Sequence, residues 1–253
     1  MVIQLRVYFL GTGGAGGPSN RAHNCFIVES KECRLLIDFG EGCSWRLEEL
    51  GLTLCDIDLV YISHKHVDHW IGLFDSSIFA LSKGCKSFNV LAHDDVLNDL
   101  SNLVTNTLPL EISRNVKFKI IHDKLTVHDL MLEVIPSHHP VPTYGLIISD
   151  RDSTIYYTAD TSVYEGLING LKRADLVIHE ASLPDELSLL AKQKGHTTVS
   201  QALSQTRYMK SGAIIALVHL TTQSLKQLIS GKVIVPQNNV KVIVPQDGTV
   251  LMI

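Results

Sequence analysis

The segment Ile62-Ser63-His64-Lys65-His66-Val67-Asp68-His69-Trp70 constrains this chain more than any other. Three imidazoles and a carboxylate stand within six residues, directly after the short apolar run Leu59–Ser63. A buried strand that opens into such a loop turns several borderline ligands toward one pocket, which is the composition of a metal site. A solvated turn has no use for histidine at 64, 66 and 69 together.

The rest of the chain reads as an α/β protein built around strand ends of this kind. Val2–Leu10 is strand-like and stops at a loop too rich in glycine for helix or strand, Gly11-Thr12-Gly13-Gly14-Ala15-Gly16-Gly17-Pro18. Asn24–Glu29 and Arg34–Asp38 read as two β runs around a polar turn, and Ser44–Leu50 as a helix closed by Gly51. Helices are predicted over Ile71–Ser82 and over Asp94–Thr105, the second capped by Asp94 or Asp95, with a strand at Ser87–Ala92 between them. Lys117–Ile121, Thr126–His128, Met131–Pro136, Tyr144–Ser149 and Thr154–Thr158 form a β meander. Helices then alternate with strands: Glu165–Lys172, Leu176–His179, Pro184–Lys194, Thr198–Lys210 and Ala213–Val218. Near the end Lys232–Gln237 recurs as Lys241–Gln246, read as a pair of short strands and too small a repeat for a solenoid. No low-complexity linker divides the chain, so residues 1–253 are expected to form one domain in which two sheets pack together under outer helices.

Composition narrows the function classes. An apolar fraction of 45% in 253 residues is enough for a sizeable core and excludes disorder as the main state. No apolar run approaches membrane-spanning length and the N-terminus lacks signal-peptide organisation, so a soluble, cytoplasmic protein with no membrane partner is expected. A net charge of -4 offers no general attraction to a polyphosphate. The five cysteines, Cys25, Cys33, Cys43, Cys55 and Cys85, include no Cys-x-x-Cys pair and read as reduced thiols.

The pattern His64-x-His66-x-Asp68-His69 is similar to the signature of the metallo-β-lactamase superfamily, whose fold is a four-layer αββα sandwich. Other elements of that signature follow in order. Asp38 resembles the early aspartate that supports the metal loop from behind, His139 a third ligand of the first metal, Asp160 the bridging carboxylate and His219 the last ligand of the second metal. The resemblance thus implies metal ligands at His64, His66, Asp68, His69, His139, Asp160 and His219. It also implies two divalent ions, zinc for a set this rich in imidazole, although manganese, iron or cobalt would suit the same donors. His138 adjoins His139 and competes with it, and the spacing to Tyr144-Gly145 favours His139.

Within the superfamily the likeness is to ribonuclease Z and its phosphodiesterase relatives. It is carried by Gly11-Thr12-Gly13-Gly14-Ala15 with Pro18-Ser19-x-x-Ala22, by Asp38-x-Gly40-Glu41-Gly42, by His179-Glu180-Ala181 and by His196-Thr197-Thr198. What this implies is a hydroxide activated by two metals, with Asp68 accepting a proton from the attacking water. His196 would be the acid that assists the leaving group, and Glu180 the carboxylate that orients it. One departure stands out: residues 140–159 leave no room for the long arm with which ribonuclease Z clamps tRNA. The armless relatives include cyclic nucleotide phosphodiesterases of the anti-Pycsar type. The expected substrate is therefore a small nucleotide phosphodiester, foremost a 3′,5′-cyclic nucleotide, and the family habit is a homodimer. A ribonuclease Z-like tRNA 3′-end endonuclease is the alternative. A lactonase or thioesterase ranks lower, because His139-Pro140-Val141-Pro142-Thr143-Tyr144-Gly145 departs from the segment typical of those enzymes.

Several signals are set aside. Gly11–Gly16 fits the letters of a dinucleotide fingerprint, but no helix opens after it. His23 reads as a solvated loop residue. His93, His122 and His128 read as structural or exposed, His179 as a buried partner of the active-site carboxylates, and Trp45 and Trp70 as core or interface residues.

Overall fold

The computed structural model describes residues 4–231 and 237–253. Strands β1 (Arg6–Gly11), β2 (Cys25–Glu29) and β3 (Arg34–Ile37) pair antiparallel in sequence order. A short turn suffices between β2 and β3, where Ser30 Oγ accepts the amides of Glu32 and Cys33. Beyond β3 the pairing becomes parallel, which demands long crossovers, and helices fill them. The run is α1 (Cys43–Glu49), β4 (Leu59–Tyr61), α2 (Gly72–Ser82), β5 (Phe88–Ala92), α3 (Asp94–Thr107), α4 (Leu110–Ser113) and β6 (Val116–Ile120).

The second half repeats the plan. β7 (Lys124–Val127), β8 (Leu130–Pro136), β9 (Tyr144–Ser149) and β10 (Thr154–Tyr157) form an antiparallel meander. Parallel pairing then carries β10 through α5 (Leu167–Arg173), β11 (Leu176–Glu180), α6 (Ser188–Lys194), α7 (Val199–Ser204), β12 (Ile214–Val218), α8 (Thr222–Ile229) and β13 (Lys241–Ile243). Last, β14 (Thr249–Met252) returns to pair antiparallel with β1, Met252 opposite Arg6. Among the described residues the sheets run β14-β1-β2-β3-β4-β5-β6 and β13-β12-β11-β10-β9-β8-β7.

The period-2 alternation of the strands sorts their apolar residues into layers. Phe9, Phe26, Ile37 and Tyr61 from one sheet meet Leu132, Leu146, Tyr157 and Ile178 from the other in the central core. The opposite faces lie under helices: Ile27, Leu36 and Val60 pack with Leu47, Leu73 and Leu100, while Ile147, Tyr156 and Val177 pack with Leu167, Leu171 and Val199. The arrangement is the expected αββα sandwich. No helix among the described residues is long and apolar enough to cross a membrane.

Differences from the sequence expectation are local. The cap of α3 is His93, whose side chain accepts the amide of Asp95, so neither Asp94 nor Asp95 fills that position. The region predicted as one helix over Pro184–Lys194 begins as a 3-10 turn at Asp185–Leu187, and the one over Thr198–Lys210 ends as a 3-10 turn at Gln205–Tyr208. Of the two repeated terminal segments, residues 232–236 lie outside the described residues, and Lys241–Ile243 is a strand. Trp70 is buried with its indole donating to the Lys65 carbonyl, whereas Trp45 is 66% exposed and belongs to no core.

Candidate metal centre

The candidate donors gather at the strand ends of both sheets, along the seam between them. After β4 the chain enters the loop 62–70, with a 3-10 turn at Val67–His69 that buries Asp68 and His69. Asp38, just past β3, fixes this loop. Its carboxylate accepts the Ser63 amide at 2.8 Å, the Ser63 hydroxyl at 2.9 Å, His69 Nδ1–H at 2.8 Å and the Tyr157 hydroxyl at 2.5 Å. The second sheet supplies one element per strand end: His139 after β8, Asp160 after β10, Glu180 closing β11 and His219 after β12. Asp38, Ala159 and His219 all have positive φ, at 51°, 52° and 55°. Three left-handed non-glycine residues beside one centre are a local backbone cost of the kind that clusters at functional sites.

Two donor clusters result. In the first, His64 Nε2 and His139 Nε2 each lie 3.1 Å from His66 Nδ1. In the second, His69 Nε2 is 3.2 Å from His219 Nε2, which is 3.3 Å from Asp68 Oδ2. Asp160 Oδ2 stands between them, 3.6 Å from His64 Nε2 and 3.4 Å from both His69 Nε2 and His219 Nε2.

The residues fit a metal centre on three physical grounds. Donors held about 2.0 Å from a tetrahedral ion are about 3.3 Å from each other, close to the spacings here. Burial, reinforced by neighbouring imidazoles, holds His64 well below the ordinary histidine range, and burial lowers His66 and His139 too, so their nitrogen lone pairs stay free to bind. Finally, Asp160 Oδ1 is buried without a hydrogen-bond partner, a costly state for a carboxylate oxygen unless a cation meets it. The second cluster is more anionic. Burial opposes charge on Asp68 and Asp160, yet His219 and His69 hold both carboxyls well below their usual range. Burial likewise opposes the proton on His69, and Asp160 and Asp38 outweigh it to raise that ring well above the ordinary value.

Four of the five imidazoles are aimed by the hydrogen bond of their other nitrogen. His64 Nδ1 meets Ser63 Oγ at 3.0 Å, His69 Nδ1 meets Asp38, and His139 Nδ1 donates to the Gly195 carbonyl at 2.9 Å. Gly195 ends α6 with φ 69°, and a Cβ there would stand 2.8 Å from His139 Cα, so only glycine allows this approach. His219 Nδ1 donates to Ser182 Oγ at 2.7 Å, and that hydroxyl donates to Glu180 Oε2 at 2.6 Å.

Glu180 is buried, accepts the amides of Thr161 and Thr197, and takes His196 Nδ1–H at 3.0 Å. Burial opposes the charge on His196, but Glu180 and Asp160 prevail and push its pKa up to about 9. The ring is therefore a proton carrier at neutral pH, with only Nε2 left for a substrate. His196 lines a cleft of about 560 Å³ together with His66, Asp68, His139, Asp160, His219, Leu190 and Lys194.

The sequence-derived site residues thus come together. His138 turns away, its Nδ1 bonded to Ser162 Oγ at 2.8 Å. His179 is buried and meets the backbone carbonyl of Glu180 at 2.7 Å, which differs from the expected partnership with carboxylates. His23 is half-buried in the glycine loop, more enclosed than a solvated residue. Ser182, Tyr157 and the Gly195 carbonyl escaped sequence reasoning, since their roles rest on contacts between distant segments.

A mixed αββα sandwich with histidines and aspartates clustered at its strand ends defines a metal-dependent hydrolase of the metallo-β-lactamase superfamily, in its ribonuclease Z-like phosphodiesterase branch. The family model described as "Anti-Pycsar protein Apyc1" matches residues 5–232, and the chain belongs to that family. It is 27% identical over 287 residues to a ribonuclease Z of Pyrobaculum calidifontis, covering 98% of each chain. In fold it is similar to the metallo-β-lactamase fold protein YhfI of Bacillus subtilis (TM-score 0.82, 23% identity, 99% of each chain). It is also similar to the short form of human tRNase Z, ELAC1 (TM-score 0.74, 20% identity, 97% of this chain and 98% of that one).

Proposed function

We propose that the chain, acting as one domain over residues 1–253, hydrolyses small nucleotide phosphodiesters at two divalent ions, with 3′,5′-cyclic nucleotides as the leading substrates. The observation that carries this reading is the pair of donor clusters with Asp160 Oδ2 within 3.6 Å of His64 and 3.4 Å of His69 and His219, in one nucleotide-sized cleft whose volume is within the usual range for small-molecule sites. The return of β14 to β1 supports the single-domain reading.

His64, His66 and His139 would hold one ion, Asp68, His69 and His219 the other, and Asp160 both. Zinc suits the donors. Bound there, the ions supply Lewis acidity toward a phosphoryl oxygen and activation of water at neutral pH. Asp68, which also accepts the Ala15 amide at 3.3 Å, stands where it can take the proton of the attacking water. His196, charged and held by Glu180, delivers a proton to the departing alkoxide from the cleft wall. Gly195 and Ser182 keep the rings of His139 and His219 at fixed angles, so little reorganisation accompanies the reaction.

Substrate size follows from what joins His139 to Asp160. That span is β9, β10 and a tight turn, with Asp150 Oδ1 accepting the amides of Asp152 and Ser153. No arm projects from it to hold a folded RNA. The ribonuclease Z names among the relatives favour the second reading, an RNA 3′-end nuclease that grips its substrate through another surface. A cytoplasmic homodimer completes the proposal, with sedimentation as its check.

A panel of cyclic AMP, cyclic GMP, cyclic CMP, cyclic UMP and a 3′-extended precursor tRNA, with Asp68→Ala as the inactive control, decides between them. The expected result is turnover of cyclic mononucleotides with the tRNA intact. Cleavage of the tRNA alone would overturn the proposal in favour of the nuclease.

A further inference from the structure

Resting on the two-ion reading, we infer that Asp247 is a positioning residue for the Asp68–His69–His219 cluster, through its clamp on both ends of the glycine loop. Asp247 precedes β14, and its side chain is 3% exposed. A carboxylate so enclosed is costly unless its oxygens are used. Here Oδ1 accepts the Thr12 hydroxyl at 2.8 Å and Oδ2 the Ala22 amide at 2.6 Å, so one side chain ties the first and last residues of the loop 12–22. Arg46 Nε lies 3.6 Å from Oδ2. Arg21, beside Ala22, donates to the Pro245 carbonyl at 2.5 Å and to Thr12 Oγ1, which ties the loop to the segment before β14 a second time.

The clamped loop reaches the centre at two points. Ala15 N–H donates to Asp68 Oδ2 at 3.3 Å. Gly14 lies flat against His219: a Cβ on it would stand 2.6 Å from Nδ1 of that ring. The loop is also laced to the strand end that carries His219, with Gly14 N–H donating to the Leu220 carbonyl and Leu220 N–H to the Thr12 carbonyl, both at 3.2 Å. Both contacts fall on donors of one cluster. The partners that aim the other cluster are Ser63 and Gly195, which belong to other segments. A loosened loop therefore lets Asp68 and His219 drift while His64 and His139 stay aimed.

The test is stepwise metal affinity, measured by competition with a chromogenic chelator on the full chain, with kcat and KM for bis(4-nitrophenyl) phosphate beside it. His66→Ala, which removes a donor of the other cluster, identifies which step belongs to which. Asp247→Ala is expected to weaken the step assigned to Asp68, His69 and His219 by about tenfold or more, the scale of lost supporting hydrogen bonds at metal sites, and to leave the other step unchanged. Asp247→Asn, which keeps one acceptor oxygen, is expected to recover part of the loss. Thr12→Val removes a single bond, keeps the carboxylate, and is expected to shift the same step by less, so it carries the test if Asp247→Ala does not fold. Equal weakening of both steps, or none, would overturn the inference while leaving two steps in the wild-type chain. A single step in the wild-type chain would instead overturn the two-ion reading.

Discussion

The two donor clusters sit side by side yet are built on opposite principles. His64, His66 and His139 form a set of imidazoles, His64 buried and the other two half-buried, whose proton affinity desolvation lowers, two of them from one loop and one from across the seam. Asp68, His69 and His219 form a buried, ion-paired set in which carboxylates outweigh burial and hold the His69 proton. The contrast teaches that two donor sets in one site can be prepared by different means. Lone-pair availability marks the first, and carboxylates held in place by hydroxyls, amides and a charged imidazole mark the second.

The most damaging way to break that contrast is to remove what the clusters share. Asp160→Ala is expected to abolish turnover and deplete both ions, whereas His66→Ala abolishes turnover while depleting one, and metal content by mass spectrometry reads the difference. Equal depletion in the two variants would mean that the clusters are not separate. Next in size is His196→Ala, which removes a ring packed beside His139 and His219 without being a donor of either cluster. Full metal content with kcat lowered by about 10²–10⁴ on an unactivated phosphodiester is expected. Unchanged kcat there would remove His196 from its role as the acid.

Ser182→Ala sharpens the comparison further, because its hydroxyl supports His219 alone among the imidazoles of the two clusters. A loss of roughly 10–100-fold in affinity, confined to the second cluster, is expected. The smallest effect concerns pH. His196 has its folded-state pKa raised to about 9, so the stability that its charge contributes is fully present below the ordinary histidine value and is lost as pH rises through about 9. In Glu180→Gln the carboxylate is gone and burial remains, so the titration midpoint in the metal-free chain is expected to fall, as read from imidazole NMR shifts. A midpoint that stayed near 9 would assign the shift to another group.

Much of this centre is legible in the sequence because its first half is contiguous. His64, His66, Asp68 and His69 announce themselves by spacing, and the alternating strands around them fix the sandwich. The second half is legible only through the family resemblance, since His139, Asp160, His196 and His219 are single residues at separate strand ends. Of the supporting contacts, only those of Asp38 and Glu180 are legible, again through the resemblance. Ser182, Tyr157 and Asp247 act across dozens of residues and leave no period or motif. Among the elements, α8 went unread because Thr222–Ile229 is largely polar and starts on a Thr221–Ser224 capping pair. Helix α4 is a single turn, and β14 follows a proline-containing loop that drew attention to 241–246 instead.

The pairing of β14 with β1 also sets an order of events during synthesis. While the ribosome still works between residues 12 and 247, β1 has one flank uncovered and the glycine loop lacks its carboxylate. At cellular elongation rates that interval lasts roughly 10–50 s. An open strand edge is a template for pairing with other nascent chains, and the docking of β14 is what closes it.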